Sequence, residues 1–94
     1  IDRGVGGAVA SAIGDRLARL SQGAQLLVVT HSPQVAARAD RHLLIAKSHD
    51  GIVTRTGVRP LDKDERREEI ARMLSGAEVT DEARAQAKRL LETA

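Results

Sequence analysis

Ninety-four residues suffice for one small domain or for a piece of a larger one, and the absence of Phe, Tyr and Trp leaves Leu, Ile, Val, Ala and Met73 to build any core. Without aromatics there is no base-stacking platform for single-stranded nucleic acid, and without cysteine there is neither a disulfide framework nor a thiolate metal site. The formal charge of +2, from 15 Lys and Arg against 13 Asp and Glu, is spread along the chain and describes a solvated surface better than a binding tail. No charged-then-apolar leader and no bilayer-length apolar run is present, so a cytoplasmic chain without a membrane partner is expected.

The first residue is apolar and no initiating Met precedes it, which suggests a chain that begins inside a longer one. A loop with three glycines, Asp2-Arg3-Gly4-Val5-Gly6-Gly7, leads into a helix whose apolar positions Val9, Ile13, Leu17 and Leu20 fall at helical spacing. Gly23 is placed to stop it. Leu26-Leu27-Val28-Val29-Thr30 reads as a strand covered on both faces. Beyond its carboxyl end lie His31, Ser32 as a helix cap and Pro33 as a first helical residue, opening a short helix to about Ala39 with Val35, Ala36 and Ala39 inward. That is the position at which open α/β sheets bind ligands.

Residues 41–47, with Leu43-Leu44-Ile45-Ala46, read as a second strand. Asp50-Gly51 is a two-residue hairpin signal of the type I′ kind, returning through Ile52–Thr56 as an edge strand that carries Arg55. Pro60 ends that pattern. Asp62 with Glu65 three residues later forms a capping box for a helix with Ile70, Met73 and Leu74 on its buried face, and Ser75-Gly76 closes it. Thr80 caps a last helix, with Asp81 and Glu82 in the first turn and Ala83, Ala87, Leu90 and Leu91 along one face. The whole reads as a single α/β piece of about three strands and four helices.

Several chemistries are excluded. The glycine loop lacks the third spaced glycine of a dinucleotide fingerprint, and either a plain turn or an anion-binding helix start accounts for it. No G-x-S-x-G elbow supports a hydrolase reading of Ser32 and His31. His31, His42 and His49 lack metal-ligand spacing, so no metal is assigned to residues of this chain. Taken alone, His31 is equally a structural histidine.

Three strings narrow the choice: Ile1 to Gly7, then Val28-Val29-Thr30-His31-Ser32-Pro33-Gln34-Val35-Ala36, then Arg72-Met73-Leu74-Ser75-Gly76 with Thr80 beyond. In order and spacing the chain resembles the C-terminal end of the ATPase head in the bacterial RecN family of DNA-repair ATPases, which are SMC-like members of the ABC superfamily. The resemblance implies that residues 1–94 are part of the C-terminal lobe of a P-loop NTPase head, with a D-loop region at 2–7, a switch-histidine loop at 30–33 and C-terminal helices at 62–93. It implies that His31 contacts the γ-phosphate of ATP, and that Asp2, Arg3, Gly4, Gly6 and Gly7 line the interface with a second head. ATP and Mg²⁺, the remainder of the head, a second head and DNA are the implied cofactors and partners of the intact, nucleoid-associated protein, acting in double-strand-break repair and recombination.

The chain holds no G-x-x-x-x-G-K-[ST] loop, no ABC signature and no Walker B pair, so the isolated segment is expected to be inactive and to bind nucleotide weakly if at all. The glycine loop also lacks the Leu-Asp ending of the common D-loop, which leaves a cross-interface role for Asp2 open. Two other readings remain. One is a non-enzymatic DNA- or protein-interaction module that uses Arg66, Arg67, Arg84, Lys88 and Arg89. The other is the matching segment of a different SMC- or ABC-type ATPase. Separated from neighbouring strands, Leu26–Val29 is expected to leave an apolar edge that makes the chain marginal or associating.

Overall fold

A computed structural model describes residues 6–92. Four helices and one hairpin follow in the order α1 (Gly7–Leu20), α2 (Pro33–Ala36), β1 (Leu43–Asp50), β2 (Val53–Pro60), α3 (Lys63–Ser75) and α4 (Asp81–Glu92). The α/β class and the four helices agree with the sequence. Among the described residues there are two strands rather than three.

The helix boundaries follow from their caps. Asp62 Oδ1 accepts from the Glu65 backbone N–H at 2.8 Å and Glu65 Oε1 accepts from the Asp62 N–H at 3.2 Å, so the capping box closes in both directions. Arg59 on β2 also donates to Glu65, joining the hairpin to the start of α3. This Arg59 hydrogen bond, followed by that of the Asp62 backbone, holds the Glu65 carboxyl below the usual carboxylate range. α3 ends at Gly76, whose φ of 83° is left-handed and suits a residue without Cβ. Thr80 Oγ1 accepts from the Ala83 N–H at 3.1 Å and opens α4.

Small side chains dominate the core. Ala36, Ala37, Ile70, Ala71, Ala83 and Ala87 are buried, with Met73, Leu74, Val79, Leu90 and Leu91 packed around them. α3 and α4 lie against each other, and α2 sits between α3 and α1. α1 faces inward through Ala10 and Gly14, whereas Val9 and Leu20 are exposed, because a Gly–Ala stripe lets the helix approach α2 more closely than a leucine stripe would. Ala37, and not Ala39, is the inward residue after α2, since the helix stops at Ala36 and the next turn carries Ala39 out to solvent.

Strands β1 and β2 pair antiparallel from Leu43↔Pro60 to Asp50↔Val53. Gly51 and Ile52 are therefore the central turn residues, and only Gly51 has positive φ, at 64°. A turn with glycine first and a negative φ second is the II′ pattern, so the expected I′ turn at Asp50-Gly51 is displaced by one residue. One face of the hairpin aligns Leu43 and Ile45 with Pro60 and Val58, and Leu43, Ile45 and Val58 are exposed.

Residues 25–30 join no strand ladder, which corrects the expected strand at Leu26–Thr30. A strand is completed by the backbone groups of a neighbour, and among the described residues β1 and β2 pair only with each other. Leu27 and Val29 are 84% and 69% exposed as a result. The Cα radius of gyration, 14.1 Å, exceeds the roughly 12 Å of a compact domain of this length. In isolation the 94-residue chain should self-associate through this surface. Sedimentation velocity over a dilution series should show a concentration-dependent mass that the pair Leu27→Ser and Val29→Ser shifts toward the monomer, and a strictly monomeric unsubstituted chain would refute this.

Candidate functional site

His31 lies in the turn that enters α2, and local hydrogen bonds fix that turn on its C-terminal side. Ser32 is the cap, with extended backbone at φ −91° and ψ 122°, and its Oγ accepts from the Val35 N–H at 3.3 Å. The same hydroxyl donates to Gln34 Oε1 at 3.0 Å, and the Ser32 N–H donates to Thr30 Oγ1 at 3.0 Å. Pro33 occupies the first helical position, where its missing N–H costs nothing. The imidazole of His31 is exposed, so this turn presents it to solvent instead of burying it in the core.

The second expected component approaches the first. Gly6 caps α1 in extended conformation, without a side-chain hydrogen bond to the helix, and Gly7 is the first helical residue. A Cβ on Gly7 would stand 3.4 Å from Gln34 Nε2, so the amino end of α1 lies against the residue that braces the His31 turn. Gly7 thus stands against Gln34 of the histidine turn, whereas nothing lies within 4 Å of a Cβ placed on Gly6. Asp2, Arg3 and Gly4, the remaining residues expected at the head interface, lie outside the described residues.

Deeper in the same contact, a Cβ on Gly14 would stand 2.9 Å from Arg38 Cγ, 3.1 Å from the Gln34 carbonyl oxygen and 3.3 Å from Val35 Cα. Two of these neighbours are backbone and cannot move aside cheaply. Gly14→Ala should therefore destabilise the α1–α2 contact by about 1–3 kcal/mol despite the better helix propensity of alanine, measurable as a lowered urea midpoint. An unchanged or raised midpoint would contradict the close crossing.

Two arginines clamp α2 from behind. Arg38 Nε donates to Asp15 Oδ1 of α1 at 2.7 Å and its Nη1 to the Leu90 carbonyl of α4 at 3.0 Å. Arg66 Nη2 donates to the carbonyls of Ala36, Ala37 and Ala39 at 3.1, 3.2 and 2.5 Å, at the carboxyl end of α2. Sequence reading missed both roles. In the sequence Arg66 reads only as one of a basic set able to meet nucleic acid, because a carbonyl cap supplied from a distant helix leaves no local spacing to detect. The other cations of that group are mostly matched within the chain: Arg67 with Asp64, Arg84 with Glu68 and Asp81, and Lys88 with Glu92, while Arg89 is exposed.

Neither remaining histidine joins this site. His49 Nδ1 shares a hydrogen bond of 2.9 Å with Thr54 Oγ1 across the hairpin. His42 is half-buried with its Nδ1 unpartnered, and desolvation, then the Arg66 charge, push its pKa down against the opposing influence of Glu69. No cluster of three potential metal ligands occurs among the described residues. No helix among them is long and apolar enough to cross a membrane. What the site offers is one exposed imidazole, able to donate or accept a hydrogen bond, on a turn braced by its own neighbours.

No protein-family model matches the chain. Individual proteins do. The DNA repair protein RecN of Streptomyces coelicolor is 58% identical over 94 residues, that of Bacillus subtilis 50% over 94, and that of Mycobacterium tuberculosis 53% over 95, each match covering 100% of this chain. Over its whole length the chain matches a RecN segment. It spans 16% of the length of each of these relatives. The likeness to RecN seen in the three sequence strings thus extends across every element described above, α1 to α4.

Proposed function

We propose that this segment is the part of an ATP-hydrolysing, SMC-like RecN-type head that presents His31 to the γ-phosphate, within a protein acting in DNA double-strand-break repair. The observation that carries the reading is the exposed His31 on its capped turn, with the amino end of α1 packed against Gln34 of that turn. The match to proteins named for DNA repair supports the biological setting.

His31 supplies a hydrogen bond where charge develops on the transferring phosphoryl group, and helps to orient the attacking water. In a neutral imidazole one ring nitrogen donates and the other accepts. ATP and Mg²⁺ are held by parts of the head beyond these 94 residues, which carry no phosphate-binding loop. Gly6 and Gly7, with Asp2 to Gly4 before them, belong to the surface that meets a second head. DNA and the rest of the head are partners of the intact, cytoplasmic protein. The deciding experiment is ATP turnover and nucleotide affinity of the full-length protein with His31→Ala. Loss of turnover at preserved affinity supports the assignment, and equal loss of both, or none, removes it.

A further inference from the structure

We propose that Arg66 is a positioning residue for His31, holding the far end of the one-turn helix that His31 precedes; this rests on the reading of His31 given above. α2 has four residues, about 6 Å of helix, so a shift at its carboxyl end is carried directly to the turn at its amino end. Its amino end is tied by Ser32 and Pro33, its side by the Gly14 contact, and its carboxyl end by three carbonyls converging on Arg66 Nη2. The guanidinium gives up solvent to do this. Its Nε is buried without a partner, so the three carbonyls, together with the negative end of the helix, offset the desolvation of the charge. Burial also draws the Arg66 pKa below its ordinary value, although an arginine remains charged. Arg66 itself stands in the first turns of α3, where its N–H donates to the Asp62 carbonyl at 2.8 Å. The capping box and the Arg59–Glu65 pair therefore fix the base from which it reaches α2.

The test compares Arg66→Met, Arg66→Lys, His31→Ala and the double variant His31→Ala/Arg66→Met in the full-length protein, by single-turnover ATP hydrolysis and separately measured ATP affinity. Arg66→Met should slow hydrolysis about tenfold, the scale expected when a reacting group is misplaced by a fraction of an ångström, with ATP affinity held within about twofold. Arg66→Lys, which keeps the charge and part of the hydrogen bonding, should recover part of the rate. In the His31→Ala background Arg66→Met should cause no further loss, because a residue acting through another has nothing left to position. A second full loss in that background would overturn the proposal and make Arg66 a general support of the fold. Slowed hydrolysis in His31→Ala with no effect of Arg66→Met would overturn this inference alone, whereas an unaffected His31→Ala would overturn the reading beneath it as well. Should Arg66→Met fail to fold, the smaller loss in Arg66→Lys must vanish in the His31→Ala background by the same criterion.

Discussion

In the full-length protein, His31→Ala is expected to lower kcat for ATP hydrolysis about a hundredfold, the usual consequence of removing one transition-state hydrogen bond, while ATP affinity changes by no more than about twofold. The asymmetry follows from where the contact matters. An imidazole that meets charge only as it develops contributes little to ground-state binding and much to the barrier. His31→Gln should retain more activity than alanine, because an amide keeps a donor and an acceptor in nearly the same place. The fold should be indifferent to either substitution, since the side chain is exposed and the turn is held by Ser32, Pro33 and Gln34. Single-turnover kinetics with a direct binding measurement separates the two effects, and a thermal melt checks the third.

The second large effect falls on stability. Among the described residues, Ile70 is the largest side chain buried completely, at 0% exposure, in a cluster whose other buried members are alanines. Ile70→Ala should cost about 2–5 kcal/mol, transfer and cavity terms together, and in a domain whose total stability is of order 5–15 kcal/mol that is enough to unfold a substantial fraction of molecules. The experiment is urea unfolding followed by helical circular dichroism, in the Leu27→Ser/Val29→Ser background that limits association. A lowered midpoint at unchanged slope is expected, and a loss below about 1 kcal/mol would mean that the α3–α4 contact is not the core.

How much of this was legible in sequence depended on whether the deciding contact was local. The Asp62–Glu65 box, the Thr80 and Ser32 caps, Pro33 at the helix start and the glycine stop at Gly76 each involve partners within a few residues, and each is found where the spacing placed it. Ile70, Ala83 and Ala87 likewise follow helical periodicity. What escaped depends on distant partners. Leu26–Thr30 has the composition of a buried strand, but composition does not supply the neighbour that a strand requires. The hairpin turn moved by one residue because pairing along eight residues of each strand, not the Asp-Gly dipeptide alone, set the register. The turn of His31 was legible, whereas its supports Gly14, Arg38 and Arg66 were not, since each acts across a helix contact.

The alanine-rich seam between α2, α3 and α4 also bears on heat. Alanine has no rotamers to freeze, so those positions seat with little entropic penalty, but each alanine withdraws only a methyl from water, and the larger areas come from Ile70 and the Met, Leu and Val side chains around it. Since the heat-capacity increment of unfolding grows with the apolar surface exposed, a small one for its length is expected of this unit. A correspondingly flat stability curve is expected, so that the margin holding the segment that carries His31 should change little between cold and warm conditions.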